Sequence, residues 1–196
     1  MDTDEALVQR YLGGERSAFR PVVERNTPSI YNLAYRMTGD PDEAADVTQE
    51  TFRRIIEALP TSHADMPFKP WAMQIALNVC RDLARRHRPL PFAALDGARD
   101  GAEDSEATDR IEMVVDTEPL PPERLETDET RRALHQAIDD LPDVYRAAIV
   151  LRYTEDMSYQ DIADTLHLPL NTVRTHLARA KRLLQARLQA DWGNEA

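Results

Sequence analysis

A chain of 196 residues with 24 Lys+Arg against 35 Asp+Glu, a formal charge of −11 and one cysteine has room for one or two domains. Lone Cys80 excludes an internal disulfide and a multi-cysteine zinc site, and no apolar run is long enough to cross a bilayer. The opening MDTDEAL is no signal-peptide start, so a soluble cytoplasmic protein is expected. The acidity would argue against a nucleic-acid binder if it were spread evenly, and it is not. Residues 89–130 hold 13 acids against Arg99, Arg110 and Arg124, whereas residues 1–88 hold 12 basic and 13 acidic side chains and residues 131–196 hold nine of each. Either flank can therefore present a local basic face.

In chain order, the first block reads as helix after helix. Asp4 to Leu12 is a short helix stopped by Gly13-Gly14, and Glu15 to Arg25 carries Phe19, Val22 and Val23 on one face with Pro21 near its first turn. Thr27-Pro28 looks like a fresh cap with proline at the first helical position, opening a helix through Ile30, Leu33, Ala34 and Met37 that ends at Gly39. Asp40-Pro41 repeats that start for a helix through Val47, Phe52, Ile55, Ile56 and Leu59. Thr61–Lys69 is a loop whose histidine, His63, is expected to be solvated. From Pro70 a further helix sets Trp71, Ile75, Val79 and Leu83 four apart, with Asn78, Arg81, Asp82 and Arg85 on another face and Arg86, His87 and Arg88 closing it. Cys80 falls inside this pattern as a small buried thiol. Residues 1–88 thus form one helical bundle.

Residues 89–129 combine many acids with Pro89, Pro91, Pro119, Pro121 and Pro122. So little apolar surface cannot offset the entropy of ordering, and a flexible acidic linker is expected, with a short docking element at Ile111–Val115 left open. Helical periodicity returns in residues 130–196, first through Leu134, Ala137, Ile138 and Leu141, then after Pro142 through Tyr145, Ala148, Ile149 and Leu151. Ser158 and Asp161 have capping-box spacing, Ile162, Ala163 and Leu166 follow, and Pro169 disfavours helix at Leu168. Asn171 or Thr172 then caps a second helix with Val173, Leu177, Ala180 and Leu184 on one stripe and Arg174, Thr175, Arg179 and Arg182 elsewhere. Two helices joined by a tight turn, the second basic, read as a DNA-binding helix-turn-helix, against the alternative of a plain helical hairpin with solvated arginines. The fold class is all-α: two small helical domains, 1–88 and 130–196, joined by the acidic linker.

Three stretches in order, DEAADVTQETFRRIIEAL, WAMQIALNVCRDLARRHR and LPDVYRAAIVLRYTEDMSYQDIADTLHLPLNTVRTHLARAKRLL, resemble the extracytoplasmic-function (ECF) group of bacterial sigma factors. The resemblance covers nearly all the chain outside the linker. It implies a dissociable RNA polymerase subunit for promoter recognition and opening, with the first block as region 2 and the last as region 4. It further implies that Asp46, Gln49 and Glu50 meet the clamp helices of the polymerase β′ subunit, with the β subunit as a further contact, and that Thr48 stands where the family usually has an apolar residue. At the −10 element, opened bases need a pocket and cations along the strand. Asn78 can read a base edge, while Lys69, Arg81, Arg85, Arg86 and Arg88 can line phosphates. Trp71 is expected in the core and Phe68 against a base.

At the −35 element, Arg174 is the first candidate for a base contact, then Thr175 and Asn171, with Thr172 beside them and Arg179 and Lys181 on phosphates. His176 stands where the family commonly has arginine and lies either at the DNA edge or simply exposed; Asn171 replaces a common glycine. Asp156, in the preceding turn, also replaces a glycine and tolerates left-handed geometry. The implied partners are core polymerase, promoter DNA and an anti-sigma protein. The acidic linker is expected to thread near the polymerase channel, and two weak DNA contacts act jointly once polymerase holds both heads. No built-in sensor domain, cofactor or metal is expected. The rivals are a sigma-like decoy that titrates an anti-sigma factor and a stand-alone helix-turn-helix regulator. An enzyme is disfavoured, since the acids cluster in the linker without His/Cys partners at ligand spacing and no glycine-rich phosphate loop occurs.

Overall fold

A computed structural model describes residues 2–61, 67–87 and 128–193. Eight α-helices and no strand occur among these residues: α1 (Asp4–Leu12), α2 (Phe19–Thr38), α3 (Pro41–Ala58), α4 (Phe68–His87), α5 (Asp128–Asp139), α6 (Asp143–Ile149), α7 (Tyr159–Leu166) and α8 (Leu170–Gly193). Arg88, His63, Ile111–Val115 and nearly all of the expected linker lie outside the described residues.

Local chemistry sets most boundaries. Gly39 ends α2 at φ 76, a left-handed turn that places its N–H on Tyr35 O, and Asp40 then accepts from the amides of Asp42 and Glu43 with Pro41 at the start of α3. The Thr27-Pro28 start is not used. Thr27 Oγ1 donates back to Val23 O at 2.7 Å instead of capping, so the two expected helices run on as one α2 with Pro28 inside it. Buried Asn26 supports this middle stretch, donating through Nδ2 to Val22 O and to Asp4 of α1.

α2, α3 and α4 pack around Val22, Ile30, Leu33, Ile55, Met73 and Leu77, with a satellite cluster of Ala44, Val47, Val79 and Cys80 between the far ends. α4 buries a broader face than its expected stripe. Val79 of that stripe is buried together with Ala72, Met73, Ala76 and Leu77, and Trp71, Ile75 and Leu83 are half-buried against the same clusters. Phe68 is buried at 4 % exposure, edge-on to Trp71, and its N–H donates to Glu5 Oε1 at 2.9 Å, holding that carboxyl below its ordinary pKa. Thr48 is buried and satisfied by donating to Ala44 O, so the apolar position tolerates its hydroxyl. Burial pushes the Cys80 thiol up to about 12. A thiol that stays protonated at neutral pH is a poor nucleophile, so the native protein should react with an aromatic disulfide reagent only as fast as it unfolds. Prompt labelling without denaturant would contradict that.

In the C-terminal block, α6 continues into a π-helical stretch, Val150–Thr154, which sequence periodicity did not announce. Asp156 sits at φ 51, and Ser158 and Asp161 form the reciprocal capping box that starts α7. His167 ends α7 in the left-handed region, and α8 begins at Leu170, just ahead of the expected cap. Val173, Leu177, Ala180 and Leu184 are all buried, as their spacing requires.

The two blocks also meet. Arg146 donates to Met37 O at 3.3 Å, Arg36 lies 3.0 Å from His135, Thr165 Oγ1 donates to Pro70 O at 3.2 Å, and the side chains of Gln74 and His167 touch. One continuous apolar cluster runs from Leu7 through Leu77 to Leu184. Each block alone is near the small end for a stable core, and the shared contact enlarges it.

Candidate nucleic-acid interface

Three polar surfaces carry the expected site residues. On α3, Asp46 and Gln49 are exposed and Glu50 is half-buried. Glu50 accepts from Arg53 (2.6 and 2.7 Å) and from Arg54 (2.8 Å), and these guanidinium hydrogen bonds hold its carboxyl down at about 2. It is a fixed anion across the physiological range.

On α4, Asn78, Arg81, Arg85 and Arg86 are exposed along the later turns. Arg81 donates to Asn78 Oδ1 at 3.2 Å, and Arg85 pairs with Asp82. Lys69 and Phe68, at the first turn, are not part of this free surface. Phe68 is in the core, so the expected base-stacking ring is covered in this arrangement, and half-buried Trp71 is the more accessible of the two. Lys69 Nζ donates to Glu155 O at 3.0 Å and lies 3.2 Å from the Glu155 carboxylate, on the other block.

On α8, the buried stripe turns Asn171 and Arg174 to solvent, with Thr172 and Thr175 half-buried beside them. Thr175 Oγ1 donates to Asn171 O, which leaves its lone pairs free to accept. Arg179 is exposed a turn further on, and Lys181 Nζ stands 5.4 Å from the Tyr153 ring. His176 is on neither expected side. It is half-buried with its ring edge-on to Tyr145 at 5.3 Å, and burial, then the charge of Arg179, lowers its pKa. A neutral ring cannot serve as a phosphate cation. Its proton-observed titration should have a midpoint below the ordinary 6.5. Because the unfolded chain takes up that proton first, its contribution to stability is complete above pH 6.5 and is lost as pH falls toward the folded midpoint. A midpoint above 6.5 in the folded protein would contradict the packing.

Comparison with known proteins decides what these three surfaces belong to. Residues 22–89 match sigma-70 region 2, and residues 131–184 match sigma-70, region 4. The chain is 34 % identical to RNA polymerase sigma-H factor of Pseudomonas aeruginosa over 96 % of its own length and 95 % of that protein. It is 31 % identical to ECF RNA polymerase sigma factor SigW of Bacillus subtilis, covering 93 % of this chain and 95 % of the relative. The chain belongs to the ECF sigma factors of the sigma-70 family.

In this sigma factor, α2–α4 carry region 2, the helix-turn-helix of α7 and α8 lies in region 4, and α1 precedes the region 2 match. The solved structure of CnrH in complex with the cytosolic domain of CnrY superposes with a TM-score of 0.68 at 26 % identity, covering 97 % of this chain and 99 % of that one. The sigma factor RpoE, solved in complex with the anti-sigma factor NepR from Bartonella quintana, shares the fold at a TM-score of 0.62 and 21 % identity, over 88 % of this chain and 98 % of that one. Three participants in these surfaces escaped the sequence reading: Arg54, Glu155 and Tyr145. Arg54 had a local signal, an acid four residues before it on the same helix. Glu155 and Tyr145 had none, since their partners are 86 and 31 positions away.

Proposed function

We propose that this sigma factor is a dissociable subunit of RNA polymerase that selects promoters. In this reading, Asp46, Gln49 and Glu50 dock on the β′ clamp helices, and the β subunit is a further contact. Asn78, Lys69, Arg81, Arg85, Arg86 and Arg88 engage the separated −10 strand, and α8 reads the −35 duplex. The observation that supports it best is the α8 face: Asn171, Arg174 and Thr175 stand outward at helical spacing over a stripe of Val173, Leu177, Ala180 and Leu184 that is fully committed to the core. Such a helix start fits the major groove, where hydrogen-bonding side chains meet base edges. Because Lys69 is held by Glu155, its use on a −10 phosphate requires regions 2 and 4 to part, which polymerase would drive by binding the parted form more tightly. The acids of residues 89–129 would, in this reading, offer negative charge to the polymerase channel. A protein partner belongs to this reading as well, an anti-sigma protein that holds the factor off polymerase; CnrH was itself captured with the cytosolic domain of another protein.

The test is in vitro transcription with core polymerase on a genomic library, with start sites mapped. The expected outcome is a set of starts sharing one −35 and one −10 sequence. Binding to an anti-sigma protein with no promoter DNA retarded by factor plus core polymerase would favour the decoy, and duplex binding by the free protein would favour a stand-alone regulator.

A further inference from the structure

Between the surface of α3 assigned to polymerase and the surface of α4 assigned to the −10 strand runs a single ladder of charges. Arg54 Nε donates to Glu50 Oε1 and Nη1 donates to Asp82 Oδ2, both at 2.8 Å, so one guanidinium bridges carboxylates on two helices. The other oxygen of Asp82 accepts from Arg85. Arg54, Glu50 and Asp82 are each about one-third exposed at the side chain (31 %, 31 % and 32 %), and the two helices they tie also share the Ala34, Ala44, Val47, Val79 and Cys80 cluster with α2. A planar fork holds two carboxylates at fixed angles with directed bonds, whereas a lysine ammonium is a point charge with rotatable donors. A shared, half-sheltered network is also less screened than an isolated surface pair.

The position of Asp82 gives the bridge its consequence. Asp82 follows Arg81 and lies one turn from Asn78 on α4, and its carboxylate pairs with Arg85; Asn78, Arg81 and Arg85 are the side chains that would face a phosphate backbone. An anion there repels phosphate and competes for Arg85. Arg54 supplies a second counter-ion from behind, and it is the leading cause of the lowered Asp82 pKa, ahead of Arg85.

We propose that Arg54 is a positioning residue that neutralises Asp82 from the α3 side, so that Arg85 is available to the promoter strand. The proposal rests on the sigma-factor reading and adds to it a residue that touches no DNA. Without Arg54, Asp82 keeps Arg85 as its own counter-ion, and the −10 surface loses one effective cation.

The experiment measures the salt dependence of promoter capture by reconstituted holoenzyme carrying wild-type factor, Arg54→Ala, Asp82→Asn or both changes, with helix content and thermal midpoint checked for each. Each phosphate contact contributes about 0.7–0.9 to the slope of log K against log salt. Arg54→Ala should lower the slope by about that amount, and adding Asp82→Asn should restore it, because the anion that captured Arg85 is gone. A merely structural bridge predicts no such rescue, since Arg54→Ala already breaks the α3–α4 tie and Asp82→Asn does not rebuild it. An unchanged slope in Arg54→Ala, or a double variant as low as the single, overturns the proposal. If Arg54→Ala does not fold, Asp82→Asn alone decides: its slope should be at least that of wild type, and a fall would overturn the idea. Failure of the wild-type holoenzyme to capture promoters would instead sink the reading on which this one rests.

Discussion

Lys69→Ala should loosen the contact between regions 2 and 4 far more than Glu155→Gln. The two ends of this pair are not equivalent: the Glu155 side chain is 3 % exposed and that of Lys69 is 40 % exposed. Removing the lysine strands a carboxylate in a site built to be neutralised. Losing one partner of a buried pair costs about 3–5 kcal/mol, and the open mouth around Lys69 should reduce that to roughly 1–3 kcal/mol by admitting water. Glu155→Gln removes the charge with its environment intact, and the freed ammonium is already half in solvent, so the cost is small. The cheapest escape for the stranded anion in Lys69→Ala is separation of the blocks, which hydrates it. Small-angle scattering of the free protein should therefore give a larger radius of gyration for Lys69→Ala than for wild type, with Glu155→Gln close to wild type. Equal radii for all three would show that the other contacts hold the blocks together without this pair. On holoenzyme the order reverses, since Glu155→Gln leaves Lys69 free for a phosphate and Lys69→Ala has none to offer.

How far the sequence carried the fold depended on the range of each determinant. The helix-turn-helix was legible because everything that makes it is local: the Ser158–Asp161 box, Pro169 as a stop, and a stripe from Val173 to Leu184 that repeats without interruption. The same local logic failed at Thr27-Pro28, where a threonine can either cap forward or donate to the carbonyl four residues back, and tertiary support from Asn26 and Asp4 favoured the second. On α4 the buried face is broader than the stripe. That helix is packed by α2 and α3 on one side and by α7 on another, so a four-residue periodicity through Trp71 and Val79 does not say which face is deepest. The surfaces assigned to polymerase and DNA came from the resemblance. What neither periodicity nor resemblance supplied was pairing across the fold, Arg54 with Asp82 and Lys69 with Glu155, because hydrogen bonds between residues 28 and 86 positions apart leave no local pattern.

Arg174→Ala should weaken promoter binding by about 1–3 kcal/mol and relax selectivity at one −35 position, with little change in folding. Folding is spared because Arg174 is exposed and flanks rather than joins the buried stripe, whereas a truncation one position earlier, at fully buried Val173, would open a cavity. The size of the effect follows from geometry. A guanidinium at the start of a helix seated in the major groove can place two parallel donors on the O6 and N7 acceptors of guanine, and no other base offers that pair. Thr175 differs in kind: its hydroxyl hydrogen is already given to Asn171 O, so it can only accept, which suits an amino group on cytosine or adenine. The measurement is competition binding by holoenzyme across promoters substituted one base at a time through the −35 element. For Arg174→Ala the penalty for changing one particular base pair should vanish while the others persist. A uniform loss over every sequence, with a shallower salt slope, would instead move Arg174 to the phosphate backbone and leave Asn171 and Thr175 to carry the base contacts.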